Sequence, residues 1–149
     1  MSLKKKFQAL SNIDVNHIAL SKLEINHFRG TFMRDSLPVS GPHTIECGVL
    51  NLGDSTTRGS HWVCYYKNGA IKYYFDSYGD AKPPIELILY LGGTSLYYND
   101  TRIQTYEDPP ICGHLCLVVL YLLSNKKESF ENVLQRMKSN KYFWANWLI

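Results

Sequence analysis

One cysteine of the 149-residue chain stands where the sequence can activate a thiol. Cys112 follows Pro109 and Pro110 and begins an apolar run, which predicts that it is the first residue of a helix. The unpaired N–H groups and the dipole of a helix start favour an anion, and therefore the thiolate form of a cysteine. Gly113 leaves room beside this sulfur for a substrate backbone. Cys112 is the candidate nucleophile.

A nucleophilic thiol needs a base, and His61 is the best placed histidine. It begins a predicted strand that a tight turn at Asn68-Gly69 joins to a second strand ending in Asp76. A hairpin of this kind can bring the carboxylate next to the imidazole and fix its tautomer and orientation. The sequence therefore predicts a thiol–imidazole pair that Asp76 orients.

Three further residues complete a site for acyl transfer. The backbone N–H of Cys112 and the side-chain amide of Gln104 are predicted to donate to the oxyanion that forms on attack. Trp62, next to His61, is predicted to wall a narrow cleft. Together with Gly113, it is the candidate substrate-binding residue.

Each of these residues also has a purely structural explanation. A lone cysteine at the start of an apolar helix is usually a small core residue, and an aspartate such as Asp76 is a common turn former. His61 suits a strand edge, and Gln104 suits the outward face of a strand. Their joint occurrence, in the order His, Asp, Gln and Cys-Gly, is what indicates catalysis.

Zinc binding is the competing interpretation of the cysteines. Cys112, His114 and Cys116 resemble a ligand cluster, but a helix turns His114 away from the other two, and the sequence has no CxxC pair. The remaining cysteines are Cys47 and Cys64, and four cysteines are too few for a disulfide framework in a chain of this size. We expect free thiols, a reducing compartment and no metal site.

Periodicity and turn signals indicate the elements that position these residues. A first helix, capped by Asn12 or Asp14, includes Val15 to Leu23, and a turn-rich stretch runs from Arg29 to Pro42. The other predicted helices are Ile85–Leu91, Cys112–Ser124, Glu128–Lys138 and Tyr142–Leu148. The predicted strands are Ile45–Val49, His61–Lys67, Ile71–Asp76 and a strand-like segment Ser95–Thr105 around a turn at Asn99-Asp100.

Length and composition limit the class of protein. A chain of 149 residues predicts one domain, residues 1–149, and 13% aromatic residues exclude the composition of a disordered chain. A net charge of +3 does not by itself indicate nucleic-acid binding. No apolar stretch follows Lys4, Lys5 and Lys6 as a secretory signal requires, and the apolar run Ile111–Leu123 is too short for a membrane span.

The candidate residues and their surroundings resemble the adenovirus endopeptidase (adenain) family of cysteine proteases. The resemblance extends from His17 to Leu123. The matching segments are 27–32 (His-Phe-Arg-Gly-Thr-Phe), 47–52, 59–62 (Gly-Ser-His-Trp), 75–79 (Phe-Asp-Ser-Tyr-Gly), Gln104 and 111–113 (Ile-Cys-Gly). This resemblance implies an α+β, papain-like fold whose mostly antiparallel sheet packs against the helix that begins at the nucleophile.

The same resemblance implies a role for each matched residue and a kind of substrate. Cys112 is the nucleophile, His61 the general base and acid, Asp76 the orienting carboxylate and Gln104 the oxyanion donor. The family cleaves proteins after Gly-Gly-type sequences. We therefore expect an endopeptidase of an adenovirus-like virus or virus-like mobile element that processes virion precursors, a monomer found in the host nucleus or cytoplasm and in the virion, with no membrane partner.

The chain departs from the family in two ways. Asp76 stands where adenain has glutamate, as in the ubiquitin-like protein (SUMO-type) proteases of the same superfamily, which are one alternative. Adenain needs no cofactor for its chemistry, but viral DNA and a basic peptide activate it, and the peptide forms a disulfide with an enzyme cysteine. No cysteine lies between Cys64 and Cys112, so the resemblance does not extend to that disulfide. A catalytically silent binding domain of the same fold is the other alternative.

Overall fold

The computed structural model describes residues 7–53, 61–80 and 82–149. The helices are α1 (Asn12–His17), α2 (Ile85–Tyr90), α3 (Cys112–Ser124) and α4 (Phe130–Leu148), and a π-helical turn, Ile18–Lys22, extends α1. The strands are β1 (Phe28–Met33), β2 (Ile45–Asn51), β3 (Trp62–Asn68), β4 (Ile71–Phe75) and β5 (Tyr97–Tyr98). Gly59, Ser60 and the three lysines at 4–6 lie outside the described residues.

The strands form one five-stranded sheet in the order β1-β2-β3-β4-β5. The predicted antiparallel pairing holds for the three central strands, whereas the two outer strands pair parallel with their neighbours, so the sheet as a whole is mixed. Helices α3 and α4 pack on one side of the sheet, and α2 packs on the other. The α+β class predicted from the sequence is confirmed.

Strand β1 lies inside the stretch that the sequence analysis treated as turns. All six of its residues are half-buried, so the strand shows no alternation of buried and exposed positions. Its register with β2 also shifts between Phe28 and Gly30, a bulge that interrupts the two-residue period.

The Arg29 guanidinium binds the buried Glu46 carboxylate on β2 at 2.9 Å, so that the charge of Glu46 is paired inside the sheet.

The β3–β4 hairpin carries the histidine and the aspartate of the site. Asn68 pairs with Ile71, so the two-residue loop is Gly69-Ala70, one position later than predicted, and Gly69 takes a positive φ of 61°. The last ladder pair is Cys64 with Phe75. Because side chains alternate along strands, extending this register puts Asp76 and His61 on the same face.

Helix α3 is the centre of the core and begins at Cys112, as predicted. Eleven of its 13 residues are buried, and the core around it includes Val49, Cys64 and Phe75 from the three central strands. A second apolar cluster on the opposite side of the sheet joins Tyr65 and Tyr74 to α2. Since a helix buried on nearly all sides cannot shift without disturbing the core, the position of the Cys112 sulfur is closely constrained.

Three local predictions need correction. The cap of α1 is Ser11, whose hydroxyl accepts a hydrogen bond from the Asp14 N–H at 3.1 Å. The side chain of Asp14, the third helical residue, accepts from the Ser11 N–H, which completes a capping box. The segment Ser95–Thr105 is strand only at Tyr97–Tyr98. The two predicted C-terminal helices are joined in α4, which kinks at Asn140 (φ −146°, ψ 46°).

The kink in α4 anchors the loop that leads to the nucleophile. Asp108 accepts hydrogen bonds from Lys141 Nζ at 2.6 Å, the Tyr142 hydroxyl and the Thr105 N–H, and Lys141 also donates to the Ile103 carbonyl. Burial opposes the charge of Asp108, but the hydrogen bond from Lys141 and its other donors hold the pKa of this carboxyl below its usual value. We call this group the Asp108 clamp.

Within the part of the chain that the structure describes, no helix has both the length and the apolar composition that crossing a membrane requires.

Removing the cation of the Asp108 clamp should loosen the loop before α3. Lys141→Met is expected to lower the free energy of unfolding by about 1–3 kcal/mol, because Asp108 loses its charged donor. Lys138→Met, an exposed lysine on the same helix, is the matched control and should change little. Urea unfolding followed by circular dichroism measures both.

The pH dependence of that loss has a defined sign. Because the folded-state pKa of Asp108 is lowered, its contribution is present above the unfolded pKa of about 4 and lost as the pH falls below it. The difference between Lys141→Met and the wild type should therefore shrink in acid. A difference that is the same at all pH values would contradict the clamp.

Candidate active site

The hairpin brings His61 and Asp76 into direct contact. His61 Nε2 and Asp76 Oδ1 are 2.6 Å apart, and both side chains are largely buried, with 12% and 3% of their surface exposed. A charge-assisted contact of this length in a site shielded from water is a strong one. Since Asp76 takes Nε2, Nδ1 is the ring nitrogen that is left for another partner.

The turn after β4 is built around Asp76. Its Oδ1 also accepts from the Tyr78 N–H at 3.0 Å, and Asn99 binds its backbone on both sides, accepting from the N–H and donating to the carbonyl. Gly79 closes the turn with a φ of 64°, and a Cβ there would lie 2.7 Å from the Thr101 carbonyl oxygen. The orientation of the carboxylate is therefore set before any substrate arrives.

Cys112 lies at the start of α3, within reach of His61. Burial by itself lowers the pKa of His61. The opposing effects are larger: the hydrogen bond to Asp76, the contact with the Cys112 sulfur and the negative charges of both groups. Together they raise this pKa to about 9. His61 is therefore an imidazolium at neutral pH. The Cys112 sulfur therefore lies between a cationic ring and the unpaired N–H groups of a helix start.

Gln104 is fully buried in the loop that connects β5 to α3, not on a strand. Its Oε1 accepts from the Ser77 hydroxyl at 2.7 Å, and its Nε2 donates to the Pro109 carbonyl at 3.1 Å. Its backbone N–H also donates to the Ser77 carbonyl. The amide thus joins the residue after Asp76 to the segment that runs into Cys112, and the Pro109 carbonyl, which can only accept, fixes which end of the amide is the nitrogen.

Trp62 and Gly113 lie against each other. A Cβ at Gly113 would be 3.0 Å from Trp62 Cδ1 and 3.4 Å from a side-chain carbon of Leu10. The indole Nε1 donates to the Leu10 carbonyl at 2.9 Å, so the N-terminal segment fixes the ring. The space that the missing side chain of Gly113 leaves is taken by Trp62 and Leu10, and the role of Trp62 as a wall of the substrate cleft stays a prediction. A substrate-binding role for Gly113 stays a prediction.

The four cysteines are free thiols, and Cys112 is the one that is not buried. Cys116 donates to the Trp62 carbonyl, while His114 points to Phe7 and burial lowers the pKa of this histidine to about 4. Among residues 7–53, 61–80 and 82–149, no three His, Cys, Asp or Glu side chains are grouped to hold a metal ion.

Three residues that hold the site were not predicted from the sequence. Ser77 and Asn99 orient Gln104 and Asp76, and the Tyr78 ring lies tilted against the His61 ring with 4.6 Å between ring centroids. Asn99 was visible only as a turn former. Ser77 directly follows Asp76 in a segment that the family resemblance already matched. This position was the available signal for its role.

Selective alkylation tests the Cys112–His61 pair without assuming any substrate. Near neutral pH, iodoacetamide should modify Cys112 in the native protein and spare the buried Cys47, Cys64 and Cys116, as read by peptide mass spectrometry. His61→Ala should slow this reaction about tenfold or more, because the thiolate loses its positive partner. His43→Ala replaces an exposed histidine and is the control. An equal rate in His61→Ala and wild type would rule out the pair.

A double-mutant cycle tests the contact between Trp62 and Gly113. Gly113→Ala should destabilise the fold by about 1–3 kcal/mol, because overpacking outweighs the gain in helix propensity. Trp62→Leu makes room for the added methyl group, so the double variant should lose less stability than the sum of the single losses. Urea unfolding of the four proteins measures this, and additive losses would show that the two residues do not compete for space.

The fold is similar to that of a solved protease. No protein-family model matches the sequence, and no curated protein matches it. Among solved structures, the chain is similar to the ASFV pS273R protease, with a TM-score of 0.58 and 15% identical residues. The similarity covers 92% of this chain, which spans 65% of that one. The chain has the papain-like α+β fold predicted from its resemblance to the adenain-like cysteine proteases.

Proposed function

We propose that the protein is a cysteine endopeptidase. The observation that carries this proposal is the contact of one imidazole, His61, with a buried carboxylate on one nitrogen and with the Cys112 sulfur at a helix start. A protein that uses a cysteine only for packing has no need of a charged histidine beside it. The fold similarity to a solved protease agrees with this chemistry.

In the proposed mechanism the Cys112 thiolate attacks the carbonyl carbon of the scissile peptide bond. His61 then gives its proton to the leaving nitrogen, the C–N bond breaks, and an acyl-thioester remains on Cys112. His61, now neutral, takes a proton from water, which attacks the thioester and releases the acid product. Asp76 keeps Nδ1 of the ring directed at the reacting atoms throughout.

Two donors are proposed for the oxyanion. The Cys112 N–H is at the first position of α3, where a helix has no internal partner for it. Gln104 Nε2 carries two hydrogens, and Pro109 takes one of them. The second is the one that we assign to the oxyanion, with Ser77 holding the amide in that orientation.

We further propose Gly-Gly-type cleavage sites. Trp62 is fixed over Gly113 by the Leu10 carbonyl, so the wall of the site cannot swing aside for a large side chain. Substrate residues without side chains suit such a passage. Viral or mobile-element precursor proteins are the substrates that this specificity and the family resemblance favour.

The setting of the reaction is part of the same proposal. The chemistry uses protein side chains and water, and needs no metal or cofactor. DNA or a basic peptide is proposed as an activator rather than a reactant. We expect a monomer that acts in the nucleus or cytoplasm of a host cell and in the virion.

A ubiquitin-like protein protease is the second candidate. Its specific support is Asp76, the shorter carboxylate, whose contact with His61 at 2.6 Å is complete without the longer side chain of glutamate. Such an enzyme also cleaves after Gly-Gly, but on a folded protein.

Cleavage assays separate these candidates. Wild-type protein should hydrolyse a short Gly-Gly peptide linked to aminomethylcoumarin, and Cys112→Ala should lower the rate about 10³-fold or more. Cys116→Ala, one turn along the same helix, is the control for loss of a thiol. Turnover of SUMO or ubiquitin fusions with the peptide left intact would favour the second candidate. Failure on all substrates, with DNA and basic peptides added, would refute both and favour a binding domain.

A further inference from the structure

A row of side chains in contact leads from His61 to the protein surface. The Tyr78 ring is tilted by 38° against the His61 ring, with 4.6 Å between their centres, and Tyr106 stacks on Tyr78 at 4.9 Å. The Arg102 guanidinium lies 5.3 Å from the centre of the Tyr106 ring. We call Tyr78, Tyr106, Arg102 and Asp80 the aromatic shelf.

The shelf is held rigid although its end is exposed. Tyr106 is 73% exposed, yet Asp80 accepts from its hydroxyl at 2.8 Å and from Arg102 at 2.5 Å. Asp80 therefore neutralises Arg102, and the shelf presents an aromatic ring beside a guanidinium plane rather than a net charge. A tyrosine already fixed in place loses little conformational entropy on binding, which makes it an efficient contact residue.

The inner end of the shelf lies against His61, since the centres of the Tyr78 and His61 rings are 4.6 Å apart. The proposed mechanism uses Tyr78 only through its backbone N–H, which donates to Asp76, and does not use Tyr106. A peptide that passes His61 in the direction of the shelf meets Tyr78 first and Tyr106 next.

The chemistry decides which part of a substrate lies there. His61 must give its proton to the leaving nitrogen, so the segment after the scissile bond runs past His61. The oxyanion donors, Cys112 and Gln104, face the carbonyl instead. We propose that the aromatic shelf binds the leaving segment and selects an aromatic or large aliphatic side chain within its first residues. This inference rests on the proposed function and adds a specificity for the residues after the cleavage site.

The experiment compares substrates that differ only after Gly-Gly. One is a quenched fluorescent peptide with phenylalanine directly after Gly-Gly, one has alanine there, and one has aminomethylcoumarin and no further residue. For wild type, kcat/KM should be higher for the phenylalanine peptide than for the alanine peptide. In Tyr106→Ala the ratio of kcat/KM for the phenylalanine peptide to that for the alanine peptide should fall about tenfold.

Two variants serve as controls for this ratio. Tyr106→Phe keeps the ring and should keep most of the wild-type ratio. Tyr97→Ala removes a tyrosine that is equally exposed, at 74%, on β5, and should leave the ratio unchanged. An unchanged ratio in Tyr106→Ala, or a change equal to that in Tyr97→Ala, would overturn the proposal.

A binding measurement separates this inference from the proposed function. The same phenylalanine peptide, labelled for fluorescence anisotropy, is titrated into Cys112→Ala with and without Tyr106→Ala. If wild type hydrolyses nothing but binding weakens about tenfold with Tyr106→Ala, the proposed function fails and the shelf stands. If the peptide binds equally to both proteins, or to neither, the shelf is refuted whatever the turnover.

Discussion

The contact between His61 and the buried Asp76 carboxylate is the constraint on which the site depends. A carboxylate that is 2% exposed is stable as an anion only if donors replace the water it has lost. The Tyr78 N–H supplies one donor and the His61 ring supplies another at 2.6 Å. Burying Asp76 therefore favours the protonated form of His61, next to the Cys112 sulfur. The positive charge beside the candidate nucleophile thus follows from the burial of an aspartate on another element.

Regular elements position some of the candidate residues, and a hydrogen-bonded loop positions another. His61 and Asp76 flank a hairpin in the centre of the sheet, and Cys112 begins a helix that the core encloses. Gln104 lies in a loop that has little regular structure, where Ser77 and the Asp108 clamp replace a strand or helix as its support. Misplacement of a donor by about 1 Å can cost a large factor in rate, so these hydrogen bonds suit the oxyanion role that we propose for Gln104.

The sequence was most informative where one local signal determines the structure. A glycine turn between two β-branched and aromatic runs was enough to predict the hairpin, and prolines before an apolar run were enough to predict where α3 begins. The turn was misplaced by one residue because Asn68-Gly69 and Gly69-Ala70 both offer a glycine for positive φ, and the ladder decides between them. Strand β1 was missed because its bulge and its uniform half-burial remove the alternation on which such predictions depend.

Contacts between distant segments could not be predicted from the sequence. Asp108 and Lys141 are 33 residues apart, and Trp62 and Leu10 are 52 apart, with nothing in either segment that names its partner. Only the folded chain places Tyr106 on Tyr78, whose ring lies against that of His61. The roles of His61, Asp76, Gln104 and Cys112 rest on the family resemblance. The structure adds their proximity, except for Gln104, which it connects to the others through Ser77 and Pro109.

The causes that raise the pKa of His61 also order the proposed reaction. Two of them, the hydrogen bond with Cys112 and its negative charge, come from the sulfur that the proposed reaction acylates. Acylation removes both, while burial still lowers the pKa of His61 and Asp76 still raises it. In the proposed mechanism His61 is therefore an acid before acylation, when the leaving nitrogen needs a proton, and a better base afterwards, when water must lose one.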